Sequence, residues 1–323
     1  MRLRDSRQLV MTEHPLLSQA ITRAASVLAG AGIATARTDA ELLASHLLGI
    51  SRGELAAAQI TGRNLDFDFS DYDQLVADRS QRIPLQHLTG KAPFRNLELA
   101  VGPGVFIPRP ETESVAQAAI DAVAAAVAAA SHAHDPVIAV DLCTGSGAIA
   151  LALTQETAAS EIHGVEYSEL AFAWAQRNHE LLAQSHGVDL ASKLQLHKAD
   201  ATDPHTLAEL DGLVAVVVSN PPYIPPDQVP VDVEVREHDP EIALYGRGPD
   251  GLEVPRAVLN RAQQLLRPGG VVVVEHAEVQ APALRAAAAA MGGWEEIQTR
   301  PDLTGRPRML YARRAADGGK MGE

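Results

Sequence analysis

Two short stretches of this chain carry residue types better suited to holding a ligand than to building a core. The first is Asn220-Pro221-Pro222-Tyr223, which ends the apolar, strand-like run 212–219. Proline has no N–H and a fixed φ, and the residue before it is pushed out of helical space. Two prolines after an asparagine therefore make a stiff, extended shelf, flanked by an amide and an aromatic ring. The second stretch is Asp141-Leu142-Cys143-Thr144-Gly145-Ser146-Gly147, between a strand-like run and a helix-like one. Glycines let backbone turn tightly and approach a ligand, and a helix start offers free N–H groups. Glu166 lies 19 residues beyond Gly147, at the end of the next strand-like run, where a carboxylate accepts hydrogen bonds from both ribose hydroxyls. Strand, glycine turn, helix and spaced acid together predict nucleoside binding.

The spacing Gly145-x-Gly147-x-x-Ala150 also fits the dinucleotide fingerprint, so an NAD-dependent oxidoreductase has to be weighed. Two features oppose it. Asp141, four residues before the first glycine, resembles the acid of the S-adenosylmethionine motif, placed near the methionine moiety. The last two strand-like runs resemble the reversed final strand of class I methyltransferases. Asp200, ending the run 193–200, stands where that family contacts adenine; it serves equally as a strand-end cap. With a methyl donor over the glycine turn, the shelf acquires a use. An amino or amide nitrogen must be held with its lone pair toward the methyl. The Asn220 side-chain oxygen and the Pro221 carbonyl can accept its two N–H groups, and Tyr223 can stack on a flat group.

These residues need a scaffold that brings strand ends together. From residue 111 onward helix-like segments (about 112–131, 147–156, 169–185, 252–266 and 277–291) alternate with strand-like runs at 137–142, 161–166, 193–200, 212–219 and 270–276. Val-rich continuous strands alternating with helices predict a parallel sheet covered on both faces. Two further strands toward the end, around a Gly/Pro loop, are placed to pair antiparallel. Ahead of this part, helical spacing at Leu17, Ile21, Ala24, Val27 and Leu28, a second helix capped by Thr38/Asp39 and a third near 71–82 predict a small bundle. The expected organisation is a helical substrate-recognition domain over 1–83, a β-hairpin linker over 84–110, a methyltransferase domain over 111–313 and a disordered tail over 314–323. The Ala-rich helix near 112–131 reads as a surface helix of high propensity.

Composition narrows the partners. The net charge is −14, unevenly spread: residues 1–95 hold 11 Lys and Arg against 10 Asp and Glu, the remainder 16 against 31. A strongly acidic second part argues against general nucleic-acid binding. No window approaches the roughly 18 apolar residues of a membrane helix, and the start has no signal-peptide core. The single cysteine, Cys143, allows no internal disulfide, which suits a cytoplasmic protein. The "SHAHD" histidines have no third ligand in sequence, so no metal site is expected.

The stretches "FIPRPETE", "DLCTGSGAIALAL", "VSNPPYIP" and "EVREHDPEIALYGRGPDGL" occur in that order after the helical segment. Together they closely resemble the PrmC/HemK family of release factor glutamine methyltransferases, over about residues 12–313. The resemblance implies an α/β, class I (Rossmann-like) S-adenosylmethionine-dependent methyltransferase with a small N-terminal helical bundle. It implies methylation of the glutamine in the Gly-Gly-Gln motif of bacterial class I peptide chain release factors. By the same resemblance Asn220, Pro221, Pro222 and Tyr223 bind that glutamine. Cys143, Thr144, Gly145, Ser146, Gly147, Glu166 and Asn220 line the cofactor, with Asp200 and Ala201 by the adenine. Phe106, Arg109, Pro110 and Glu111 wall the pocket, and the helical domain touches the release factor away from its loop. Glu166 replaces the more usual Asp, Cys143 stands where Gly is common, and Asp239 stands where Glu is frequent.

Three other readings compete. A DNA adenine or RNA guanine N-methyltransferase would share the shelf, but no large basic recognition domain follows it. An NAD-dependent oxidoreductase leaves the shelf unexplained. A non-catalytic binder of release factors would tolerate loss of Asn220.

Overall fold

The computed structural model describes residues 17–61, 63, 65–130 and 135–316; the expected tail beyond residue 316 and the extreme N-terminal residues lie outside these. The chain divides into two units, at Thr89/Gly90.

The first unit is helical: α1 (Leu17–Gly30), α2 (Ala36–Leu48), α3 (Arg52–Thr61), α4 (Phe69–Ser80) and α5 (Leu85–Thr89). Ile21, Leu28, Leu43, Leu55 and Tyr72 form its core, whereas Val27, on the expected apolar stripe of α1, is 47% exposed. Thr38 and Asp39 do not cap α2, which starts two residues earlier. Asp39 is buried instead, in an ion pair with Arg79 of α4 at 2.8 Å. Burying a charge is costly unless it is paired, so tertiary pairing here overrides a local capping preference. Asp68 does cap, accepting from the Ser70 and Asp71 N–H groups at the start of α4.

The second unit opens with a hairpin, β1 (Lys91–Phe94) and β2 (Leu97–Ala100). The hairpin expected over 84–110 is thus confined to its middle, because residues 85–89 close into α5. Then follow α6 (Thr112–Ala128), β3 (Ile138–Leu142), α7 (Ala148–Glu156), β4 (Glu161–Glu166), α8 (Glu169–His186), α9 (Val188–Ala191), β5 (Leu194–Lys198) and β6 (Val214–Ser219). The last part holds α10 (Val233–His238), α11 (Glu241–Leu244), α12 (Glu253–Leu265), β7 (Leu266–Glu275), α13 (Ala281–Met291), β8 (Trp294–Pro301) and β9 (Pro307–Arg314). Seven strands form one sheet in the order β5-β4-β3-β6-β7-β9-β8. The first five are parallel, and β9 runs antiparallel to both β7 and β8.

Alternate residues of the central strands feed two separate cores. Ala139, Val216, Val218, Val271 and Val273 pack with residues of α6, α7 and α8 on one face. Ile138, Val140, Val217, Val272 and Val274 pack with α12 and α13 on the other. The Ala-rich α6 is therefore no mere surface helix: Val115, Ala116, Ala119, Ala122 and Val123 are buried, their small side chains letting it lie close to the sheet. Among the described residues no helix is long and apolar enough to cross a membrane.

The order reverses between β3 and β6, and open α/β sheets leave a crevice at the carboxyl ends of strands where this happens. One buried side chain ties the hairpin to the loop after β3. Asn178 of α8 accepts from Ala100 N (2.7 Å) and donates to the Ala100 and Ser146 carbonyls (3.0 and 2.9 Å). Replacement by Ala strands these groups in a 3% exposed site. Asn178→Ala is expected to cost about 3 kcal/mol, seen as a lower urea midpoint with unchanged slope; an unshifted midpoint would show that the hairpin is held by packing alone.

Candidate active site

The crevice at the strand reversal is a cavity of about 530 Å³. Its wall brings together Cys143, Thr144, Gly145, Ser146, Glu166, Asp200, Ala201, Asn220, Pro222 and Tyr223, with Phe106, Arg109 and Glu111. Gly147, Pro221 and Pro110 do not belong to that wall; Gly147 starts α7, and Pro221 is buried.

At one end the loop from β3 to α7 needs three consecutive odd-numbered residues at positive φ: Cys143 (64°), Gly145 (58°) and Gly147 (86°). The left-handed region explains why glycine suits position 143 better than cysteine. The turn is fixed by Thr144 N donating to Val165 O (2.9 Å) and Gly147 N to Thr144 O (2.8 Å). Asp141 does not reach the cavity wall, contrary to its expected place near a methionine moiety. Fully buried behind the turn, it accepts from the Thr144 hydroxyl (2.6 Å) and Ala150 N (3.1 Å), and burial pushes its pKa up to about 7.

Glu166, at the end of β4, accepts from Gly145 N at 2.8 Å and Ser168 N at 2.6 Å. Burial raises its pKa, and these N–H groups pull against that. An ionised carboxylate has about four acceptor sites, so these N–H groups leave capacity for a hydroxyl donor. A Cβ built on Gly145 would meet no atom within 4 Å, so the backbone there is open to a ligand. Asp200 Oδ1 is engaged in the turn after β5, accepting from Thr202 N and Oγ1 (2.8 and 2.7 Å). The glycine turn, the acid and this loop fit the nucleoside part of S-adenosylmethionine.

At the other end lies the shelf. Tyr223 N and Ile224 N both donate to Leu244 O (3.1 and 2.8 Å), and Gly246 N donates to Ile224 O (3.0 Å). Gln280 donates to the carbonyls of Tyr223 and Asp250 (2.7 and 2.9 Å). The loop 246–251 approaches so closely that a Cβ on Gly246 would sit 1.9 Å from Gly251 O and 2.6 Å from Pro222 O, and one on Gly251 2.3 Å from Tyr223 O. Among the described residues the Pro221 carbonyl accepts no hydrogen bond.

Asn220 Nδ2 donates to Thr112 Oγ1 at 3.3 Å, and the Tyr223 hydroxyl donates to Glu275 Oε1 at 3.3 Å. Burial raises the Tyr223 pKa, so its phenol stays neutral. Arg109 sits 4.9 Å over the Phe106 ring and forms an ion pair with Asp239. That pair ties the 106–111 turn to the segment between α10 and α11. Burial raises the Asp239 pKa and Arg109 opposes the shift.

Three features of the wall escape a reading by sequence spacing. Thr112, at the start of α6, and Glu275, at the end of β7, are each several elements away from the shelf in sequence, and only the sheet order brings them beside it; the available signal was a carboxylate ending the apolar run Val271–Val274. Tyr167, Ile242, Leu244 and Tyr245 join the lining with no chemical pattern to mark them. The glycines of "YGRGPDG" act as the clamp on the shelf.

Comparison with known proteins agrees with this arrangement. Residues 19–90 match the family model of the PrmC N-terminal domain. The release factor glutamine methyltransferase of Streptomyces coelicolor is 49% identical over 93% of this chain and 99% of that protein. That of Bifidobacterium longum is 42% identical over 92% and 99%. A 4-amino-L-phenylalanine/4-methylamino-L-phenylalanine methyltransferase of Streptomyces pristinaespiralis is 37% identical over 89% and 92%.

The glycine clamp yields a direct test. In Gly246→Ala the added methyl meets backbone atoms that cannot rotate away, and overpacking of this kind costs about 2 kcal/mol. A fall in melting temperature of several degrees is expected by calorimetry; a variant melting with the parent would show that the loop does not bear on the shelf.

Proposed function

The chain belongs to the release factor glutamine methyltransferase family, and on that premise we propose that it methylates the side-chain amide nitrogen of the glutamine in the Gly-Gly-Gln motif of bacterial class I peptide chain release factors, with S-adenosylmethionine as donor. The observation that carries the reading is that Asn220, Pro222 and Tyr223 of the shelf wall one cavity with the Glu166-anchored glycine turn. When bound, S-adenosylmethionine supplies an electrophilic methyl group on a sulfonium.

The remaining work falls to residues of this chain. Glu166 would hold the ribose hydroxyls, the 143–146 turn the methionine side, and Asp200 and Ala201 the adenine. Asn220 Oδ1 and the Pro221 carbonyl would accept the two N–H groups of the glutamine amide. An amide nitrogen is a poor nucleophile because its lone pair is delocalised, and two acceptors favour positive charge on it while fixing its direction. Tyr223, Pro222 and Phe106 would pack on the flat amide. No strong base is needed, since methyl transfer leaves the amide nitrogen cationic with an acidic N–H, whose loss to water gives the neutral N-methyl amide. Enzyme and release factor would meet in the cytoplasm, a placement that the single cysteine suits. Near-neutral residues 1–95 are fit to contact the factor away from its loop, and the acidic remainder does not favour nucleic acid.

The test is a mass measurement on an unmodified release factor after incubation with the protein and S-adenosylmethionine. A gain of one methyl group is expected on the Gly-Gly-Gln peptide, located on the glutamine side chain. Asn220→Ala should leave donor binding partly intact and lose about 100-fold or more in turnover. No gain while the donor binds would overturn the substrate assignment in favour of a small amine or a nucleobase. An unchanged rate for Asn220→Ala would overturn the role given to the amide.

A further inference from the structure

Asparagine presents a particular difficulty at this position. Its amide has an acceptor end and a donor end of nearly the same shape, and only the acceptor end can take an N–H from a substrate amide. We propose that Glu275, acting through Thr112, is the positioning residue that fixes which end of the Asn220 amide faces the substrate. The inference rests on the functional reading above for the role of Asn220, and on the geometry alone for the orientation.

Glu275 is the last residue of β7, 1% exposed, on the strand that pairs with β6 and thus beside the shelf. Its Oε1 accepts from the Tyr223 hydroxyl. The Thr112 hydroxyl, at the start of α6, is the neighbouring donor that acts on the same carboxyl, whose buried Oε2 accepts no hydrogen bond. Thr112, 4% exposed, in turn accepts from Asn220 Nδ2.

The polarity of this chain follows from its end. An ionised carboxylate can only accept. The unpartnered Oε2 therefore draws the single Thr112 proton toward Glu275, which leaves Thr112 Oγ1 as an acceptor on the Asn220 side. Only the NH₂ end of the amide can meet it, so Oδ1 turns to the cavity. If position 275 could donate, the chain could reverse: Thr112 would donate to Asn220 Oδ1 and the NH₂ end would face the substrate, where it repels an N–H. Glu275→Gln introduces such a donor with almost no change of shape. Protonation of Glu275 does the same. Burial pushes its pKa up to about 7, with Thr112, Arg308 of β9 and Tyr223 opposing the shift and Glu111 adding to it. The acceptor-only form is therefore lost as pH falls through about 7.

The experiment compares parent, Glu275→Gln, Thr112→Val and Thr112→Ser in steady-state methylation of the full release factor across pH. Exchange of the Asn220 side-chain amide protons is followed by NMR on the same proteins without substrate. Glu275→Gln is expected to lower kcat about 100-fold at pH 8, leave KM for S-adenosylmethionine unchanged and abolish the acid limb that the parent shows near pH 7. Its Asn220 amide protons should exchange faster than the parent's, having turned from Thr112 to the cavity. Thr112→Val should behave alike, and Thr112→Ser, which keeps the hydroxyl, should restore the parent's rate. Parent-like kcat and exchange in Glu275→Gln, or in Thr112→Val should Glu275→Gln not fold, would overturn the proposal. A parent that methylates no release factor would overturn the functional reading, while the exchange rates would still decide the orientation.

Discussion

The active-site end of the sheet depends on backbone meeting backbone with no side chain between. Gly246 and Gly251 lie against residues 222–225 at separations that exclude any Cβ. The prolines of the shelf cannot donate to a sheet, so the chain after β6 cannot be held as a strand would be. It is held by the parallel bridge between Ile224 and Tyr245, by Leu244 O and by Gln280. Protein interiors transmit such close contacts with little compression. The position of Asn220 and Tyr223 is therefore set by a loop some 25 residues further on, and that loop is fixed in turn by α11 and α12 on either side. A flexible connection between the same elements would leave the two polar groups free to move by more than a methyl transfer tolerates.

Behind this wall the chain keeps carboxyl groups where water does not reach. Asp141 in β3 and Glu275 at the end of β7 are fully buried, and Glu166 at the end of β4 nearly so. Each is raised in pKa by burial and each accepts from groups that belong to the site. Asp141 holds Thr144 and the first turn of α7, Glu166 holds Gly145, and Glu275 holds Tyr223. An acceptor-only group that is expensive to bury buys direction: every donor near it has to point inward. Charged carboxylates close to the cavity also favour a positively charged ligand over a phosphate-rich one, in keeping with the acidic balance of this part of the chain.

Much of this was legible in the sequence because the elements carry strong local signals. The β4 run 161–166 and the apolar β6 and β7 could be placed by their Val and Ile content. Gly145, Gly147 and Glu166 fall together because a strand, a tight turn and a second strand of ordinary length bring their ends level. That the 106–111 turn walls the same pocket as the shelf was implied by the family resemblance alone; no spacing in the sequence relates the two segments. What could not be read depends on contacts between distant segments. Asp39 looks like a cap until Arg79 takes it into the core, and Val27 looks buried until the bundle turns it outward. The helicity of residues 85–89 has too few residues to show a period. Thr112 and Glu275 have no spacing in common with Asn220; the sheet order β3-β6-β7, with α6 packed over it, is what makes them partners.

Cys143 shows how a departure from a local rule can persist without acquiring chemistry. Its φ of 64° costs a side-chain-bearing residue roughly 1–2 kcal/mol relative to glycine, yet the turn requires it so that Thr144 can reach both Val165 and Asp141. The thiol packs against the core on the α12 face, which returns part of that cost as apolar contact. Burial, with Glu166 adding to it, raises its pKa, so the sulfur stays protonated and is no nucleophile even though it borders the cavity. A cysteine beside a methyl donor would otherwise be a competing acceptor. The surroundings that hold the shelf in place also keep this sulfur unreactive, and the strain at position 143 is tolerable because the hydrogen bonds of Thr144 and Gly147 fix the turn in this shape.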